Sequence, residues 1–159
     1  AFERTLEETV AASRRAGDRG ALCFVDLDHF KYVNDSAGHA AGDALLGAVA
    51  DLFRQRVRGE DFVCRIGGDE FALILRRCAR ADARRVAEGI CKAVADLRFE
   101  WDGREFCIGA SIGFVMIDGR VTTMAEVLRE ADHACYAVKR DGRGQVAEYS
   151  APASVAGDA

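Results

Sequence analysis

Two glycines, Gly67-Gly68, stand between the runs "DFVCRI" and "DEFALIL", and no other feature restricts the fold of this chain as strongly. Two short strand-like runs separated by a glycine pair fold back on each other, which commits part of any sheet to antiparallel pairing. Asp102-Gly103, between "RFEW" and "REFCIGASIGFVMI", signals a second hairpin. "ALCFVD" (21–26) is a continuous apolar run ending in a carboxylate, as a central strand requires, and "QVAEY" reads as a last strand. Helices are predicted over about residues 2–16 and 80–97, the latter burying Ala83, Val86, Ala87, Ile90 and Val94. Another helix follows an interruption at glycines 38 and 42 and runs to about 57, with Leu45, Leu46, Val49, Leu52 and Phe53 on its apolar stripe. Thr123 and Glu126 form a capping box for a last helix with inner face Val127, Leu128, Ala131, Ala134, Cys135 and Val138. Two hairpins break the strand–helix alternation, so the pattern favours an α+β sheet with helices on its faces over a doubly wound parallel sheet. One domain over 1–150 is expected, with 151–159 a flexible tail or a linker to a neighbour.

Composition narrows the function classes. The 159 residues carry 22 Lys and Arg against 26 Asp and Glu, and a net charge of −4 argues against a broad nucleic-acid surface. It leaves room for an anionic small molecule, because a bound cation and a few local basic groups dominate a site. No apolar run approaches the about 20 residues of a membrane span. The six cysteines (Cys23, Cys64, Cys78, Cys91, Cys107, Cys135) have no close pair, which points to reduced thiols and a cytoplasmic domain. The chain opens in mid-pattern at "AFERTLEETV", so it is read as a piece of a longer protein, in which any targeting segment or membrane anchor would lie outside this chain.

Asp26 ends one strand-like run and Asp69 begins another. If those strands are neighbours, the two carboxylates converge at one sheet edge and repel unless a cation sits between them. Hard oxygen ligands select Mg²⁺ or Mn²⁺, which takes few carboxylates plus substrate phosphate oxygens. An Asp at a strand end equally caps a helix or makes a turn, and the pattern alone leaves both readings open. Asp28 and Glu70 read as solvated or hydrogen-bonded acids. In "DLDHFKYVNDSAGHAAGD" (26–43), Asn34 and Asp43 have the groups to read guanine, the carboxylate accepting from the ring N–H and amino group. Backbone N–H groups at Phe30 and Lys31, at a helix start, suit phosphate, and His39 suits a neighbouring contact. Lys139 and Arg143 suit phosphate as well, or serve as solvated cations at a helix C-terminus.

These segments together resemble the GGDEF family of diguanylate cyclases. The signature is Gly67-Gly68-Asp69-Glu70-Phe71; "DLDHFKYVNDSAGHAAGD", "SIG" (111–113) and "ADHACYAVKRDGRG" (131–144) follow the family's order. The resemblance implies a central, mainly antiparallel five-stranded sheet flanked by helices, palm-like as in nucleotidyl cyclases, with a ferredoxin-like core. It implies that Asp26, Asp69 and the Leu27 carbonyl bind Mg²⁺ (or Mn²⁺), and that Asp69 is the general base. Glu70 and Lys31 stand with Asp69 among the catalytic positions. Phe30, Lys31, Asn34, His39, Asp43, Lys139 and Arg143 become the GTP-binding residues. Two GTP would be condensed to cyclic dimeric GMP and pyrophosphate by a homodimer, since one site holds one nucleotide and cannot close the ring alone.

Arg58-Gly59-Glu60-Asp61 resembles the family's RxxD product-inhibition site, with Arg58 and Asp61 its ligands. The further Arg that such sites often place on the next helix aligns loosely with Gly89 here, and the family's "DxLTGLxNR" segment has no counterpart before Phe2. Sensory or phosphodiesterase domains are expected to be covalently attached in the full protein. The alternative is a catalytically weak regulatory module that binds GTP or cyclic dimeric GMP and signals to an adjacent domain. A bare dimerisation scaffold would not need Asn34, Asp43 and Asp69 together.

Overall fold

The computed structural model describes residues 1–119 and 123–150. The elements are α1 (Phe2–Ala16), β1 (Gly20–Asp28), α2 (Phe30–Ala37), α3 (His39–Arg56), β2 (Phe62–Gly67), β3 (Glu70–Leu75), α4 (Arg80–Asp96), β4 (Phe99–Trp101), β5 (Arg104–Phe106), β6 (Gly109–Ile117), α5 (Met124–Arg140) and β7 (Val146–Glu148). Among the described residues, five strands make one sheet in the order β2-β3-β1-β6-β7. Each neighbouring pair is antiparallel except β6 and β7, which α5 connects in parallel. The mixed architecture agrees with the α+β reading.

β1 is the hub because both of its faces are covered. Ala21, Cys23, Val25 and Leu27 pack with Phe71, Leu73, Leu75 and the inner residues of α2, α3 and α4. Leu22, with Ala72, Ile74, Val115 and Ile117, packs against Leu6 and Val10 of α1 and Val127 and Ala131 of α5. Strand periodicity therefore sends even-numbered residues of β1 toward α1 and α5. Thr123 accepts from the Glu126 N–H at 3.1 Å, so the predicted cap starts α5 as read.

At one point α5 lies directly on the sheet. A Cβ at Gly113 would stand 2.1 Å from the Cys135 nitrogen and 2.5 Å from the Ala134 carbonyl carbon, so only glycine allows this approach.

Four local readings shift. β1 runs two residues past Asp26 to Asp28. Gly67 pairs with Glu70, so the turn is Gly68-Asp69 and Asp69 lies in it rather than at the head of β3. Gly38 alone separates α2 from α3; Gly42 is buried inside α3. The run "REFCIGASIGFVMI" divides at Cys107-Ile108: β5 pairs with β4 in a separate ribbon, and β6 joins the main sheet. An apolar run carries no mark of which partner each half will find. All six cysteines are free; burial pushes the thiols of Cys23 and Cys135 up to about 12. The expected tail, 151–159, lies outside the described residues.

Candidate active site

The antiparallel register gathers acids at one end of the sheet. Asp26 stands opposite Glu70 of β3 on one side and Ser111 of β6 on the other. The Leu27 N–H donates to the Asp69 carbonyl at 3.0 Å, which holds the hairpin turn against the end of β1. In an extended strand the N–H and C=O of one residue point to the same edge, so the Leu27 carbonyl is directed toward Asp69 as well. The distant acids of the sequence thus meet, and Glu70 joins them more closely than its sequence context suggests.

Such a group needs positive charge. Like charges directly opposite each other on adjacent strands destabilise a sheet. Lys139 of α5 supplies one cation: its Nζ lies 2.5 Å from Asp26 Oδ2, and this hydrogen bond raises the lysine above its ordinary range. Asp69 remains strained electrostatically. Partial burial first, then the charge of Asp26, lifts its carboxyl above the usual carboxylate range against the pull of its own backbone N–H and Lys139.

Among the described residues no cluster of three or more His, Cys, Asp or Glu side chains forms an all-protein metal cage. Two carboxylates and a backbone carbonyl are nevertheless the donor set that Mg²⁺ takes when phosphate oxygens complete its shell. The residual repulsion at Asp69 is what a divalent ion would relieve, so the residues present fit such an ion.

The other site positions divide by what the fold does with them. α2 packs on α3 so closely that a Cβ at Gly42 would sit 1.8 Å from Asn34 Oδ1 and 3.3 Å from Phe30 Cζ. Gly42 thereby brings the Asn34 amide beside the residue preceding Asp43. Asp43 itself is exposed and borders a recess of about 410 Å³ walled by Leu46, Ala50, Val63 and Phe71. Phe30 is buried at the head of α2, where His29 adopts a left-handed φ of 70° and no side chain caps the helix. The first-turn N–H groups are thus left without a side-chain cap. The Lys31 ammonium points elsewhere: it pairs with Asp35 one turn along at 2.9 Å and its side chain is 87% exposed. His39 is exposed at the start of α3.

Arg143 is not on α5. The helix ends at Arg140, and the Arg143 N–H bonds back to the Val138 carbonyl at 2.9 Å, the six-to-one bond of a Schellman ending. Its guanidinium reaches Asp28, which the sequence shows only as an acid two residues beyond Asp26. Asp28 is buried and accepts from Ser111 and from the Gly144 N–H. Period-two alternation is the available signal, since it sets Asp28 on the same face as Asp26.

The RxxD segment is tied to its neighbours through its aspartate. The Asp61 side chain is 3% exposed, and its oxygens accept from the backbone N–H groups of Arg58 and Arg76, each at 2.9 Å. Its carboxylate anchors the chain, while the Arg58 guanidinium is half exposed and contacts the Arg76 carbonyl and Glu60. The recess there, about 160 Å³, is lined by Arg56, Arg58, Arg77 and Arg85. Arg85 stands one turn before Gly89 on α4. A larger recess, about 650 Å³, lies between α4 and α5 on another face; its Arg80 and Arg84 pair with Glu148 at 2.6 and 3.8 Å, and it has none of the strand-end acids.

A mainly antiparallel sheet of this order, with acids gathered where β1 meets the β2–β3 turn, defines a palm-like cyclase domain. The chain belongs to the GGDEF family: the family model described as "Diguanylate cyclase, GGDEF domain" matches residues 1–145. It is 48% identical over 148 residues to the probable diguanylate cyclase DgcE of Escherichia coli, covering 93% of this chain and 13% of that protein. The crystallised GGDEF domain of TpbB from Pseudomonas aeruginosa superposes with a TM-score of 0.88 at 34% identity, covering 95% of this chain and 94% of that one. The GGDEF domain of DgcB from Caulobacter crescentus, solved in complex with c-di-GMP, gives a TM-score of 0.88 at 31% identity over 93% of this chain and 88% of that one. The chain spans far less than two thirds of its curated full-length relatives, 13% and 22% of the first two.

Proposed function

We propose that this domain is a diguanylate cyclase, joining two GTP into cyclic dimeric GMP with release of two pyrophosphates. The observation that carries the reading is the convergence of Asp26, Asp69 and Glu70 beside Lys139 at one end of the sheet. The c-di-GMP bound to DgcB and the cyclase name of DgcE support it.

In each of two equivalent steps the 3′-oxygen of one nucleotide attacks the α-phosphorus of the other. The new O3′–P bond forms as the bond to pyrophosphate breaks, and Asp69 accepts the hydroxyl proton. A Mg²⁺ or Mn²⁺ ion, held by Asp26, Asp69 and the Leu27 carbonyl, would neutralise the triphosphate and polarise the α-phosphorus. Lys139 exchanges its hold on Asp26 for a phosphate oxygen, and Arg143 offers a second cation to the same chain. Asn34 and Asp43 orient the guanine, with Asp43 accepting from its N–H edge. Phe30 and Lys31 contribute backbone N–H groups to phosphate at the uncapped start of α2, and His39 borders the nucleotide. Each domain presents one such set of groups, so two domains must face each other, and holding the two nucleotides in line supplies much of the rate.

Incubating the protein at high concentration with GTP and Mg²⁺ and measuring cyclic dimeric GMP tests this. Rising specific activity with protein concentration is the expected result. Tight GTP binding with no product at any concentration would instead favour the regulatory module.

Product inhibition through Arg58 belongs to the same proposal. Arg58→Ala is expected to relieve inhibition by added cyclic dimeric GMP while leaving stability nearly unchanged. Asp61→Ala is expected to cost about 1–3 kcal/mol of stability, because two backbone N–H groups lose their acceptor. Inhibition curves and denaturant melts of both variants check the division; a wild type insensitive to product removes the inhibitory role.

A further inference from the structure

Asp28 accepts more hydrogen bonds than Asp26 or Asp69, shared between Ser111 of β6 and the loop that follows α5. Its side chain is 3% exposed and accepts from Ser111 Oγ at 2.9 and 3.0 Å, from the Gly144 N–H at 3.0 Å and from Arg143 at 3.4 Å. Ser111 is fully buried, and its Oγ also lies 3.1 Å from the Gly144 nitrogen. Cys91 of α4 closes the other side, its thiol 3.4 Å from the Gly144 carbonyl.

The loop so gripped is conformationally costly. Gly142, Arg143 and Gly144 have φ of 122°, 65° and 65°, three consecutive residues in the left-handed region, and one of them is not glycine. Backbone of this kind persists only when its surroundings over-determine it. The Arg143 N–H is tied to Val138, the Gly144 N–H to Asp28, and the Gln145 carbonyl to the Ile112 N–H at 2.9 Å. The Arg143 side chain is half exposed and touches Asp28 through one nitrogen, so the rest of its fork remains available on the side of the sheet where Lys139 stands.

We infer that Asp28 and Ser111 are positioning residues that hold Arg143 ready for the triphosphate. This rests on the proposed phosphate role of Arg143. Asp28 and Asp26 face the same side two residues apart, yet they act on different partners. Asp26 is partly accessible and faces Lys139 and the hairpin turn, whereas Asp28 is enclosed and bonded to the closing loop. Pre-positioning a flexible, entropy-rich side chain lowers the cost of binding its ligand, so the contribution appears in affinity for the phosphates and not for the base.

The test compares two probes by calorimetry in Mg²⁺: guanosine 5′-(α,β-methylene)triphosphate, whose scissile bond is blocked, and guanosine. Arg143→Ala is expected to weaken the triphosphate analogue about tenfold and leave guanosine unchanged, as loss of one charge-assisted contact implies. Asp28→Asn and the milder Ser111→Ala are expected to weaken the analogue in the same selective way although Arg143 is retained. Adding Arg143→Ala to Asp28→Asn is expected to add little, since both remove one interaction. Analogue binding at the wild-type level in Ser111→Ala and Asp28→Asn, with Arg143→Ala impaired, overturns the positioning role alone. Equal loss of guanosine and analogue overturns it too, as general damage. An Arg143→Ala variant that binds the analogue normally removes the phosphate role itself, and the inference with it.

Discussion

Asp69→Asn is expected to reduce cyclic dimeric GMP synthesis by about 10²–10⁴-fold if Asp69 is the general base proposed above, since that is the range a positioned base contributes, and loss of the proposed metal ligand acts in the same direction. The same substitution is expected to leave the fold as stable as before or more so. The Asp69 carboxyl is already held above its usual range by partial burial and by Asp26, so its ionised form is disfavoured in the folded state. An uncharged isostere removes that repulsion. Loss of activity with no loss of stability is the mark of a residue kept for chemistry at the expense of the fold. Product formation at the wild-type rate would take Asp69 out of the mechanism. Collapse of the melting temperature would show that the turn depends on the carboxylate for structure.

The second large effect is structural. Gly113→Ala is expected to destabilise the domain by about 3 kcal/mol, at the upper end of overpacking costs, and Gly113→Val by more. The clash is with the backbone of Ala134 and Cys135 and not with a flexible side chain, so α5 has to move away from β6. For a domain of this size that corresponds to a fall of roughly 10 °C in melting temperature. The displacement also carries Lys139, one turn beyond Cys135, away from Asp26. GTP affinity should therefore weaken before the domain unfolds. A variant with an unchanged melting temperature would show that α5 does not bear on Gly113 in solution.

The gradient of legibility follows from what each feature depends on. The β2–β3 hairpin, the α5 cap at Thr123 and the apolar stripes of α3 and α4 are local, and local chemistry announces them. The division of "REFCIGASIGFVMI" between β5 and β6 is not legible, because either half suits a strand and only the neighbour offered by the fold decides. Asp61 shows the same limit from the other side. In sequence it is an acid three residues after an arginine, free to act as a ligand. In the fold, β3 ends so that the Arg76 N–H falls beside it, and its carboxylate becomes a structural acceptor. Lys31 suits a phosphate contact through its backbone N–H in the sequence, and only the fold shows where its ammonium goes, to Asp35 on its own helix.

By itself the sequence determined the chemical inventory: which segments carry the acids, that a hairpin folds at the glycine pair, and which family those segments resemble. Only the tertiary structure decided which of those groups meet. Antiparallel register set Glu70 opposite Asp26, and period-two alternation turned Asp28 toward a loop residue, Gly144, that lies 116 positions away in the chain. A glycine at position 113 let α5 approach closely enough to deliver Lys139. Residue identity is local, whereas proximity is set by sheet register and helix docking, and these are fixed by the packing of the whole chain.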